Sequence, residues 1–91
     1  MAKKLKPKLI DRVAHVLTKA FPGAEVKVEI VRSSGRVAGE VFWKGFKDVE
    51  MIDRQAMLRE ALEAGLMRKE LLELSLFMTF TPREVRYMKA G

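Results

Sequence analysis

The 91-residue chain has no cysteine. That excludes a disulfide framework, a thiolate nucleophile and any cysteine-ligated zinc or iron–sulfur centre built from this chain alone. Histidine is nearly absent too: His15 is the single one, and it stands four residues from both Asp11 and Lys19 on the polar side of a helical pattern. A metal site needs several convergent ligands, and general acid–base work needs a second group in register with the first. Neither is present, so the expectation is no metal, no cofactor and no catalytic residue. The chain also lacks a long apolar run. The basic stretch Met1–Lys8 is followed by nothing long enough for a signal-peptide core or a membrane span, and the expected location is cytoplasmic, with no membrane partner. There is no internal repeat and no low-complexity linker. Ninety-one residues suit one hydrophobic core: a basic tail over residues 1–8 and one domain over residues 9–91.

What is present is enough apolar surface to fold, 48% of residues against 33% charged, far from the composition of a disordered segment. The net charge is +6, and its location decides what it means. Lys3, Lys4, Lys6 and Lys8 supply four of those charges, while residues 9–91 hold fourteen basic and twelve acidic side chains. The excess is therefore a short tail on a nearly balanced body. Such a tail reads first as a solubilising terminus and second as a phosphate-binding arm.

Along the chain, Leu9, Val13, Val16, Leu17, Ala20 and Phe21 recur at helical spacing after Pro7, and Pro22-Gly23 stops them. Val26, Val28 and Ile30 then alternate with Glu25, Lys27 and Glu29 as in a half-buried strand. Ser33-Ser34-Gly35 turns the chain into Val37, Gly39, Val41 and Trp43, the return strand of an antiparallel hairpin. A second long helix is predicted from Asp48 as N-cap to Gly65, on Ile52, Ala56, Leu58, Ala61 and Leu62. Residues 71–80 return to a period of two, placing Leu72, Leu74, Leu76, Met78 and Phe80 inward and Glu73, Ser75, Phe77 and Thr79 outward. Thr81-Pro82-Arg83-Glu84 reads as a capping box opening a last short helix. The predicted fold is α+β in the order αββαβα, a three-stranded mixed sheet with helices packed on one face and strands two and three parallel. Gly35 and Gly39 belong to the hairpin, because the spacing and context of a phosphate-cradling loop are missing.

On Phe46, Met51-Ile52, Arg54, Met57-Leu58, Ala61-Leu62 and Thr81-Pro82, together with Phe21-Pro22 and Glu25-Val26, the chain resembles the BolA family, whose fold is similar to the class II KH fold. The resemblance covers most of the chain. It departs where it matters for metal: Gln55 and Ala56 stand in place of the family's His and Arg, Asp48 in place of its turn glycine, and Leu71 or Leu72 in place of the histidine before the last strand. That histidine lets typical members share an iron–sulfur cluster with a monothiol glutaredoxin. This chain therefore resembles a member with the scaffold and without the ligand.

Two functional expectations follow, both non-enzymatic. In the first, the chain is a BolA-like regulatory protein that binds nucleic acid, with Lys44, Lys47, Arg54 and Arg59 near the start of the second helix contacting phosphate. The GxxG clamp of true KH domains is absent. In the second, the open sheet face, carrying Phe42 and Phe77, takes a protein partner, either a glutaredoxin-type protein without iron–sulfur ligation or a second copy. The expected assembly is a monomer or a weak dimer.

Overall fold

The first helix, α1 (Ala2–Ala20), buries Leu9, Val13 and Leu17 at four-residue spacing, and Phe21 continues the stripe just beyond it. This single apolar stripe is what docks the helix on a sheet. The computed structural model describes the backbone of residues 2–90 and the side chains of residues 7–86. After α1 come β1 (Glu25–Ile30), β2 (Val37–Phe42), a 3-10 turn (Lys44–Phe46), α2 (Met51–Gly65), a one-turn helix α3 (Arg68–Leu71), β3 (Leu74–Phe80) and α4 (Pro82–Ala90). The sheet order is β1-β2-β3, with β1 antiparallel and β3 parallel to the central β2, as expected from the hairpin and the helical crossover. In the hairpin turn Gly35 has φ of 72°, a left-handed conformation open to a residue without Cβ. The core joins the α1 stripe to Val37, Val41, Phe46, Leu58, Leu62, Leu66 and Phe77.

Residues of the basic segment 1–8 are helical from Ala2, with Pro7 inside α1. Proline's fixed φ is compatible with a helix, but inside one it forgoes a backbone hydrogen bond and crowds the carbonyl four residues back. The N-cap of α2 is Glu50 rather than Asp48. Asp48 has φ of +64°, a left-handed conformation that an N-cap does not use and that aspartate tolerates better than most residues. The helical layer consists of α1 and α2, whereas α4, expected in the same layer, lines the opposite face with Pro82 and Val85.

A further correction reverses the middle of β3. Register slips between Val37, which pairs with Leu74, and Gly39, which pairs with Phe77, so β3 carries one extra residue there. A bulge of this kind interrupts the alternation of faces. Phe77 consequently points into the core at 4% exposure, with Thr79 beside it, while Leu76 is 65% exposed and Met78 43%. Gly39 explains why the phenylalanine fits: a β-carbon placed there would stand 2.8 Å from the Phe77 ring and 2.5 Å from the Lys27 carbonyl oxygen. The aromatic ring occupies the space that a side chain on β2 would otherwise take. Trp43 and Leu74 pack at the core's margin as anticipated, but Leu76, expected beside them, does not.

In urea denaturation, Phe77→Ala is expected to cost about 3–5 kcal/mol, the range for emptying a buried aromatic site, and Leu76→Ala less than about 0.5 kcal/mol. Gly39→Ala should cost more than Leu76→Ala, because its β-carbon meets β1 backbone that cannot swing aside. Equal effects at Leu76 and Phe77 would contradict the bulged register.

Candidate nucleic-acid interface

Arg54 belongs to the buried stripe of α2, one helical turn before Leu58 and two before Leu62, and its side chain is only 7% exposed. A guanidinium in that position is tolerable only if its donors are satisfied. Here Nε donates to the Val49 carbonyl at 2.8 Å, and Nη1 and Nη2 donate to the two carboxylate oxygens of Glu84 at 2.9 and 3.2 Å. The guanidinium carbon lies 5.6 Å from the centre of the Phe46 ring. Glu84 closes the anticipated capping box, accepting from the Thr81 N–H at 2.8 Å while its own N–H donates to Thr81 Oγ1 at 3.2 Å. Arg54 therefore ties the start of α2 to the start of α4. Offered as a phosphate contact by the sequence, it is instead engaged inside the protein, because its four-residue phase with Leu58 and Leu62 turns it inward.

The remaining residues separate into two grooves. On the open sheet face, a groove of about 650 Å³ runs between the end of the β1–β2 hairpin and α4, and Lys44 and Phe42 line it with Lys27, Phe80 and Arg86. Phe42 and Phe80 are cross-strand partners whose rings stack at 5.4 Å and 17°. Lys27 Nζ stands 5.3 Å from the Phe42 ring centre. Glu25 and Glu40 share the same lining, so the groove is aromatic and mixed in charge with one cation in excess. Arg59 lines a different groove of about 370 Å³, between α2 and β3. Lys47 is exposed after the 3-10 turn and lines neither groove. The four cations thus form no single patch. Phe77 is not on the open face at all, because the β3 bulge and the space over Gly39 turn it inward. Phe80 takes the place expected for it beside Phe42.

Sequence reasoning missed Lys27, Phe80 and Arg86. Lys27 was legible as an outward residue of β1, and its pairing opposite Glu40 follows from the hairpin register. Phe80 required the bulge. His15 is exposed on α1 and lines neither groove. Leu71 is half-buried against the core and Leu72 exposed at the end of α3, so neither of these two positions offers a metal-ligating atom. Among the described residues no three histidine, aspartate or glutamate side chains converge as a metal site requires. No described helix is long and apolar enough to cross a membrane.

With this architecture in view, the chain is of the BolA-like class by fold. It is similar to the crystal structure of a Bol-like protein from Babesia bovis, with a TM-score of 0.60 and 18% sequence identity, over 88% of this chain and 92% of that one. No family model matches the sequence, and no curated protein does.

Two carboxyls carry most of the pH response that can be read from the contacts. The Arg54 fork, helped by the Thr81 N–H, holds Glu84 below its ordinary value of 4.5. Arg12, with Nε 2.6 Å from Glu70 Oε2, and the Met67 N–H do the same for Glu70, pinning α3 to α1. A carboxyl lowered in the folded state contributes stability that is fully present above the unfolded value and is lost as pH falls through the folded one. Wild-type stability is therefore expected to decline below pH 4.5. The decline should be shallower in the double variant Glu70→Gln, Glu84→Gln, as followed by denaturation at successive pH values. Parallel curves would show that these pairs do not govern the acid limb.

Arg54→Ala is expected to destabilise by about 1–3 kcal/mol, as for lost hydrogen bonds to a charged group. The lower part of that range applies to the Glu84 arm, since Glu84 is 42% exposed and water can replace its partner. Arg54→Lys should recover less than half of the loss, because an ammonium cannot span both carboxylate oxygens and the Val49 carbonyl. A loss under about 0.5 kcal/mol for Arg54→Ala would mean the staple is dispensable.

Proposed function

We propose that this chain is a non-enzymatic, BolA-like binding protein that takes single-stranded nucleic acid on its open sheet face. The observation that carries the reading is that Lys27, Lys44 and Arg86 surround the half-buried Phe42 in one groove. A single strand offers both a phosphate chain for such cations and unstacked bases for an aromatic ring. Lys27 now covers the Phe42 ring. Exchange of that ammonium for a base would free it to meet a phosphate. The lysines at positions 3, 4, 6 and 8 add sequence-independent attraction, and a regulatory role needs no more chemistry than reversible binding.

The test is a salt titration of binding to fluorescent single-stranded RNA and DNA. Affinity should fall with salt, and replacing Lys27, Lys44 and Arg86 together by Ala should lower the slope by up to about 2 units for single strands. Phe42→Ala is expected to cost about 1–3 kcal/mol of binding, the range for one lost base stack. Arg59→Ala, in the other groove, should leave affinity unchanged. Absence of binding at low salt would sink the reading.

A second reading, a protein partner on the same face, is favoured by one observation: Leu76 and Met78 are exposed large apolar side chains on β3. It predicts a complex that persists at high salt, since burial of apolar surface is not screened.

A further inference from the structure

Two carboxylates, Glu25 and Glu40, line the open-face groove although neither attracts phosphate, and the hairpin register gives them different places. Glu25 is the cross-strand partner of Phe42, whereas Glu40 is the partner of Lys27. Directly opposed residues of an antiparallel pair lie on one face with their β-carbons about 4.5–5.5 Å apart. The Glu25 carboxylate therefore borders the Phe42 ring, while Glu40 stands two residues back along β2. Lys27 connects these groups, its Nζ 3.7 Å from Glu25 Oε2 and 5.3 Å from the centre of the Phe42 ring. Phe80 extends the aromatic floor on the next strand, with its ring 17° from parallel to Phe42. The floor thus has one ammonium over it and a carboxylate at its rim.

Given a single strand on the open face, as proposed, the geometry points to Glu25 as the residue that reads the base stacked on Phe42, and to guanine as the base it selects, an assignment that rests on that reading. A base covers the ring only by taking the place of Lys27, so stacking removes from Glu25 the ammonium that balances it. A carboxylate offers acceptors alone. Guanine presents two adjacent donors on its Watson–Crick edge, N1–H and the N2 amino group, which meet both carboxylate oxygens at once in charge-assisted hydrogen bonds. Adenine and cytosine present an amino group beside an acceptor nitrogen, and uracil and thymine present one N–H between two carbonyl oxygens. Each of these sets a lone pair against the second carboxylate oxygen, so the cost of uncovering Glu25 is not returned. With guanine it is returned, and Lys27 is released to meet a phosphate. The aromatic floor itself is indifferent to base identity, because every base has a π-face. Selection therefore falls to the rim, where Glu25 is the carboxylate paired across the strands with the stacking residue.

The test measures binding of the full chain, at low salt, to a short polyuridine strand and to the same strand with its central residue changed to guanosine, adenosine, cytidine or inosine. The guanosine strand should bind about fivefold tighter than the parent, the lower end of the range for one bidentate base contact, because Glu25 is exposed and water competes for it. Adenosine and cytidine should bring no such gain. Inosine, which keeps N1–H and lacks the N2 amino group, should lose most of it. Glu25→Gln, at an exposed position where thermal unfolding should not change, is expected to erase the guanosine advantage. Glu29→Gln, on β1 outside the groove, should preserve it. Guanosine monophosphate offers the same edge on a single phosphate and should compete only weakly. Competition at the strand's own concentration would replace the strand by a free nucleotide and overturn the assignment. Absence of binding to every strand removes the single-strand reading and this one with it. Binding that is blind to the central base, equal for guanosine and inosine, or still selective in Glu25→Gln overturns the guanine assignment alone, as does a preference lost in Glu40→Gln and kept in Glu25→Gln.

Discussion

The position of α4, and with it one wall of the open-face groove, depends on a guanidinium held inside the protein. Arg54 reaches from the buried stripe of α2 to the carbonyl of Val49 and both oxygens of Glu84, and Glu84 in turn closes the N-terminal turn of α4 through Thr81. Burying an arginine costs several kcal/mol unless its donors find partners. The local fold supplies them from two groups, the Val49 carbonyl and the Glu84 carboxylate, with the Phe46 ring as a third neighbour. Phe46 belongs to a triangle with Phe21 and Trp43, with ring centres 5.1 to 5.3 Å apart. Trp43 Nε1 also donates to the Pro22 carbonyl at 2.9 Å. One chain of contacts therefore runs from the end of α1 through the end of β2 to α2 and α4. A binding defect in an Arg54 variant would report the loss of this frame, and only a fold-neutral substitution such as Lys44→Ala reads the groove itself.

The second constraint is the extra residue in β3. Because faces alternate strictly along a strand, one inserted residue exchanges inside and outside for everything beyond it. Leu74 still packs at the core, but after the bulge Phe77 and Thr79 take the inner face while Leu76, Met78 and Phe80 are left to the outer one. The inner exchange is stabilised by the space over Gly39. The outer one produces the apolar margin of β3 and sets Phe80 beside Phe42. Both the aromatic floor of the groove and the exposure of Leu76 and Met78 are products of a single irregularity in pairing.

Element order, hairpin pairing, parallel β3 and the capping box were all legible, since each rests on local periodicity or on turn chemistry at fixed spacing. The site was less so, for two identifiable reasons. Arg54 looked like a surface cation because charge was read before phase; its four-residue step to Leu58 and Leu62 was visible in the sequence and pointed inward. The inversion at Phe77 had no comparable local sign. LELSLFMTF alternates acceptably in either register, and the choice is made by a glycine on another strand, Gly39, which no period along β3 can reveal. The resemblance carried the fold correctly, and Asp48, which stands where the resemblance expected a turn glycine, has a left-handed backbone.

On the proposed function, the groove's charge balance would select among kinds of nucleic acid. Lys27, Lys44 and Arg86 are accompanied by Glu25 and Glu40 in the same lining, and Lys27 is already 3.7 Å from Glu25. A duplex presents a dense, regular row of phosphates and is held chiefly by uncompensated cations. Two carboxylates within the lining oppose that mode. A single strand makes a weaker demand on charge, because part of its affinity comes from bases stacked on aromatic rings, which need no net potential and tolerate any sequence. On the proposed function, the basic segment before residue 9 would supply long-range attraction and the groove would supply contact, a division with which the nearly balanced body charge agrees. Discrimination between strands would come from the acidic pair as much as from the cations, by penalising ligands whose phosphates cannot avoid Glu25 and Glu40.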